Sequence, residues 1–85
     1  MQIVLNMPDF VPLTLNEDIN ELKKTIKLNT ALMLYKKGKF TIEQASDFSG
    51  LSVYEFLKEC HDNEIPVIEH SEEELLHELQ MMKNL

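Results

Sequence analysis

The chain has 85 residues, 44% of them hydrophobic and 27% charged, which suffices for one modest core and excludes a second. It contains no apolar run of the roughly 18 residues a membrane span needs, and Cys60 is its only cysteine, so an internal disulfide is excluded and a reducing cytoplasm is expected. The net charge of −7 is split along the chain: residues 1–40 hold six lysines against Asp9, Glu17, Asp18 and Glu21, while residues 41–78 hold eleven acids against Lys58 alone, so any phosphate contact has to come mostly from the first half.

The opening "MQIVLNMPDF" lacks a basic n-region and has only a short apolar stretch, so no secretory signal is expected there. "QIVLNM" is a β-branched run ended by Pro8 and predicts an edge strand; Pro12 prolongs the break. A long helix is expected from near Asn16, a good N-cap, with Glu17 and Asp18 in the first turn where the helix dipole favours negative charge. Its apolar residues fall in two stripes, Ile19, Leu22, Ile26 and Met33 in one and Leu28, Leu32 and Tyr35 in the other, which predicts burial on several sides of the C-terminal half. Lys36 and Lys37 suit the last turn, and Gly38 suits the left-handed residue that ends a helix.

Three further helix starts share one signature, a hydroxyl three residues before Glu or Gln: Thr41 with Gln44, Ser52 with Glu55, and Ser71 with Glu74. Each predicts a capping box. Between the first two of these helices "FSGLS" places Gly50 where a tight turn needs positive φ, which leaves helices of about eight and eleven residues, the spacing of a helix-turn-helix. Ser46 is small enough to let two helices cross closely, with Ile42, Ala45, Leu51, Phe56 and Leu57 filling the angle between them. "EIPVIEH" then reads as a second edge strand, able to pair with "QIVLN" of the same chain or of a sister chain. A last helix is expected from Ser71 to about Lys83, with Leu75, Leu76, Leu79 and Met82 on one face.

A DNA-reading helix relies on Arg, Lys, Asn or Gln near its start, and on cations that hold phosphates. Here the second helix of the pair offers Ser52, Val53, Tyr54, Glu55 and Lys58, then Glu59 and Asp62, and the acids oppose a polyanion. Lysines elsewhere offset this in part: Lys23, Lys24 and Lys27 share one side of the long helix, and Lys36, Lys37 and Lys39 precede the pair. The candidate DNA-contacting set is therefore Lys36, Lys37, Lys39, Thr41, Ser52, Tyr54 and Lys58. The alternative is that the helix-turn-helix serves packing only. The acidic C-terminal helix likewise has two readings, packing on its own core or docking on a basic partner through Leu75, Leu76, Leu79 and Met82.

Catalysis and metal binding find little support. Cys60 and His61 are adjacent on a helix and point about 100° apart, and His61, His70 and His77 lack the spacing of a zinc site. No cofactor, metal or enzymatic activity is expected, and the histidines read as surface or packing residues.

The run "ALMLYKKGKFTIEQASDFSGLSVYEFLKECHDNEIPV", preceded by a strand-like segment with "PDF" and followed by an acidic tail, resembles the uncharacterised protein family UPF0175 over most of the chain. The segments that carry the likeness are "LYKKGKFTIEQAS", "SGLSVYEFL" and "NEIPV". The resemblance implies a small prokaryotic antitoxin-like protein, with a helix-turn-helix that contacts DNA and a C-terminal region that covers a toxin. In the family's pattern an arginine follows the turn serine; Val53 stands there in this sequence.

The expected architecture is mainly α with a small two-stranded β element, in the order strand, long helix, helix-turn-helix, strand, C-terminal helix. Residues 1–70 would form a dimerisation and DNA-binding-like domain, and residues 71–85 an acidic partner-binding segment. The expected partners are a second copy joined through the N-terminal strand, the long helix or both, a toxin-like protein, and weakly bound double-stranded DNA, with no membrane.

Overall fold

A computed structural model of the protein describes residues 1–67, all of whose regular structure is helical: α1 (Phe10–Leu15), α2 (Ile19–Lys36), α3 (Ile42–Ser49) and α4 (Val53–Asp62). The C-terminal helix expected from Ser71, with its capping box, lies outside the described residues. No helix among the described residues is long and apolar enough to cross a membrane.

The long helix begins later than its sequence suggested. Asp18, not Asn16, is the N-cap: its carboxylate accepts from the Glu21 backbone at 2.8 Å while the Glu21 carboxylate accepts from the Asp18 backbone, so two amides at the helix start find partners. Asn16 instead ends α1, a helix that Pro12 had been taken to forbid. Pro12 falls in the first turn, where its missing N–H is not needed, and Asn16 adopts the left-handed conformation at φ 53°. Glu17 is then tied forward to α2, its Oε2 accepting from the Thr25 hydroxyl at 2.6 Å.

All four helices end in the same way. A residue of positive φ follows the helix, its amide donates three residues back, and the next amide donates five residues back. The pairs are Asn16 to Leu13 and Glu17 to Pro12, Gly38 to Tyr35 and Lys39 to Leu34, Gly50 to Asp47 and Leu51 to Ser46, and Glu64 to His61 and Ile65 to Cys60. The four left-handed positions are thus Asn16, Gly38, Gly50 and Glu64. Glycine and asparagine tolerate that conformation; glutamate bears a Cβ penalty there of about 1–2 kcal/mol.

The two-stranded β element is absent among the described residues. Residues 1–8 have no regular secondary structure and no strand partner among the described residues. The second expected strand is used otherwise: the Ile65 amide is committed to the Cys60 carbonyl at 2.8 Å, Pro66 has no N–H to give, and Ile65 and Val67 pack against the core. Residues 64–67 of the expected strand thus finish α4 and pad the core, and residues 68–70 lie outside the described residues.

The core lies where α2, α3 and α4 meet, made of Ala31, Leu32, Tyr35, Ile42, Ala45, Phe56, Leu57 and Cys60. Of the two α2 stripes, the one ending in Tyr35 faces the core, with Leu32 and Tyr35 buried and Leu28 half-buried. In the other only Leu22 is buried, while Ile19 and Met33 are exposed, which corrects the expectation of burial on several sides. On α3, Ala45, Ser46 and Ser49 are all buried, and small side chains let its backbone come close to its neighbours. The two serine hydroxyls donate within their own helix, Ser46 to the Ile42 carbonyl at 2.7 Å and Ser49 to the Ser46 carbonyl at 2.9 Å, so neither is a buried orphan. Tyr35 of α2 meets Phe56 of α4 edge to face, with centroids 5.8 Å apart, a geometry worth about 0.5–1.5 kcal/mol beyond area burial.

Candidate nucleic-acid and partner surface

The α3–α4 pair is built from two capping boxes and one glycine. Thr41 Oγ1 accepts from the Gln44 backbone at 3.1 Å and the Gln44 side chain accepts from the Thr41 backbone at 2.9 Å. The same reciprocal pair joins Ser52 and Glu55, both bonds at 3.1 Å. Between them Gly50, at φ 76°, turns the chain so that Leu51 seats on the core and α4 presents Val53, Glu55, Lys58 and Asp62 outward.

The sequence-derived candidates fall into two groups. Lys36, Lys37 and Lys39 are exposed around the end of α2, and exposed Thr41 begins α3 immediately after them. Ser52 and Lys58 are exposed on α4 and Tyr54 is half-buried. Among the described residues no hydrogen bond or ion pair engages the side chain of any of the four lysines. Thr41 and Ser52 have a different duty: each oxygen already accepts a helix amide, which makes them structural caps first. The partner-binding candidates Leu75, Leu76, Leu79 and Met82 lie outside the described residues.

One residue absent from that candidate set dominates the start of α4. Glu55 sits in the first turn, its carboxyl held below the usual carboxylate range by the Ser52 backbone amide and hydroxyl. A helix N-terminus is an anion site, and in α4 the chain's own carboxylate already fills it. A phosphate approaching α4 along its axis would meet Glu55 first. The capping pattern itself carried that signal, since the third helical residue of such a box has to be Glu or Gln.

Phe40 and Phe48 form a second feature, with ring centroids 5.5 Å apart and Phe48 42% exposed. Cys60 is fully buried, and burial, with Glu59 beside it, pushes its thiol up to about 11, so at neutral pH it is protonated and poorly nucleophilic. Among the described residues no three His, Cys, Asp or Glu side chains cluster as metal ligands would.

The model of the uncharacterised protein family UPF0175 matches residues 1–84. The chain belongs to that family. Two UPF0175 proteins of Aeropyrum pernix are similar to it: one is 39% identical over 75 residues, covering 88% of this chain and 83% of the relative, and the other is 33% identical over 61 residues, covering 72% and 77%. No solved structure matches the chain. The UPF0175 match spans the lysine-bearing end of α2, both capping boxes and Gly50, so the residues of this surface all lie within the family's extent.

Proposed function

We propose that this UPF0175 protein is the antitoxin-like member of a toxin–antitoxin pair, a cytoplasmic binding protein without catalytic activity. In this reading residues from Ser71 onward hold a basic partner and the helix-turn-helix contacts operator DNA in the resulting complex. The observation that carries it is the opposition on one scaffold between exposed Lys36, Lys37 and Lys39 and the acid-capped α4. Two capped helices joined at Gly50 support a helix-turn-helix reading, but the surface has too little positive charge to grip a duplex alone. A partner that neutralises the acidic second half raises the affinity by removing repulsion and adding its own cations.

The test is a salt-titrated gel shift on duplex from upstream of the gene, with the free protein and with a small basic protein from the adjacent reading frame. The complex is expected to bind more tightly and with a steeper salt dependence. Equal binding in the two conditions rejects the reading.

A second reading is favoured by Glu55: a protein-interaction module in which the helix-turn-helix only packs. Reversing Lys36, Lys37 and Lys39 to glutamate separates the two. Under the first reading the triple variant loses retention of DNA, and the salt slope of the complex falls by roughly three units, about 0.9 for each phosphate that a lysine no longer neutralises. Under the second it changes nothing in partner binding and there is no DNA retention to lose.

A further inference from the structure

Twelve large hydrophobic residues are exposed in the described chain, and nine of them lie within the first 19 residues. Ile3 is 70% exposed, Leu5 62%, Phe10 63%, Leu13 80% and Ile19 68%, a concentration well beyond the single scattered apolar residues of an ordinary surface. The backbone tells the same story. No hydrogen bond joins residues 1–7 to the rest of the described chain, and α1, six residues long, buries none of its side chains. A helix that short is not stable in water by itself; α2 covers one side of it, leaving Val11 and Pro12 half-buried, and Phe10, Leu13 and Leu15 are left open by the described chain.

The charge pattern says which cover. Through residue 16 the only charged side chain is Asp9, in a chain whose net charge is −7. Two copies repel each other across most of their surfaces, and least across this stretch. A basic partner has no such restriction and is drawn to residues 41–78 instead. An apolar, nearly charge-free patch is also self-complementary, as a two-fold contact requires, since each copy presents the same surface to the other.

We infer that residues 1–16 form the contact between two copies of this chain, with the nearly uncharged N-terminal segment and α1 of each protomer packed on those of its partner. The lysine-bearing end of α2 and the outer face of α4 stay outside this contact and face solvent in the dimer. The inference does not rest on the antitoxin reading, and its test involves neither DNA nor a toxin.

Sedimentation equilibrium of the full chain measures it. The expected result is twice the 9.9 kDa of one chain, with the Ile3→Asp/Leu5→Asp double variant dissociating to single chains and self-association weakened by roughly a hundredfold or more, as for loss of central interface anchors. Both side chains are exposed, so helix content by circular dichroism should be unchanged; a second double variant, Phe10→Asp/Leu13→Asp, should dissociate as well. A wild-type chain that stays single at every concentration overturns the inference, whether its own C-terminal segment, a lipid surface or a foreign protein covers the patch. So does a dimer that survives both double variants and separates only on Met33→Asp, which would move the contact to α2.

Discussion

The first 19 residues and the α2–α4 core are both rich in large apolar side chains, yet they treat them oppositely. The side chains of Tyr35, Ile42, Phe56 and Cys60 are 0–2% exposed; between Met1 and Ile19 the large apolar ones are 41–113% exposed, except half-buried Val11. Apolar content does not make the difference. Placement does: Leu32, Tyr35, Ile42, Phe56 and Leu57 meet where α2, α3 and α4 come together, whereas residues 1–7 have no hydrogen bond to the rest of the described chain and α1, although it ends in the same left-handed stop at Asn16, buries none of its side chains. A helix stop does not by itself bury an apolar face; a second apolar face packed against it does.

The sharpest way to break that contrast is to truncate one aromatic ring on each side. Phe56→Ala should cost about 3–5 kcal/mol, most of the stability of a domain this small. Phe10→Ala should stay within about 0.5 kcal/mol in dilute solution, where copies are apart. Urea denaturation followed by circular dichroism measures both. Comparable losses would mean that the N-terminal region supports the fold of its own chain.

The same contrast explains which parts of the molecule were legible. The capping boxes at Thr41 and Ser52, the stops at Gly38 and Gly50, and the inward residues Ile42, Ala45, Phe56 and Leu57 are local signals whose physics is completed within a few residues, and each is found where its spacing placed it. The misjudged features depend on something more distant. "QIVLN" has strand composition, but a strand exists only with a partner edge, and the described part of the segment expected to provide one is spent on ending α4. Asn16 and Asp18 are both good caps, and what decides between them is Glu21, three residues after Asp18; the hydroxyl pattern that found the other boxes passes over a carboxylate cap. The lysines and hydroxyls of the candidate surface were visible as residue types. The charge of Glu55 was visible too, and the capping pattern at Ser52 fixes where it sits, at the N-terminus of α4.

Smaller effects test the helix ends themselves. Gly50→Ala should destabilise by about 1 kcal/mol, from the left-handed backbone alone, because a Cβ at Gly50 meets nothing within 4 Å. Glu64→Gly at the equivalent position after α4 should do the reverse and stabilise by about 1 kcal/mol. Opposite shifts in the urea midpoint are the expected pair of results. If Glu64→Gly lowers the midpoint, the Glu64 side chain contributes something that its exposed position does not reveal.

The smallest effect ties the fold to the candidate surface. Ser52→Ala should cost about 1 kcal/mol at neutral pH, the usual loss for an N-cap, and it should also change how stability responds to acid. Glu55 has its folded pKa below its ordinary value of 4.5 because Ser52 bonds its ionised form. A depressed carboxyl pKa gives stability that is complete above the unfolded value and is lost as pH falls through the folded one. In wild type the urea midpoint should therefore drop from pH 5 to pH 3, partly through Glu55 and partly through Asp18, whose carboxyl the Glu21 backbone amide lowers in the same way. Without the Ser52 hydroxyl the Glu55 share shrinks and the acid drop becomes shallower, while the Asp18 share persists. An unchanged drop in Ser52→Ala would mean that the Ser52 backbone amide, which alanine keeps, holds the Glu55 carboxylate without help from the hydroxyl. Glu55 would then stay at the head of α4 in the variant as well, and the electrostatic objection to DNA binding by the free protein would stand with the hydroxyl gone.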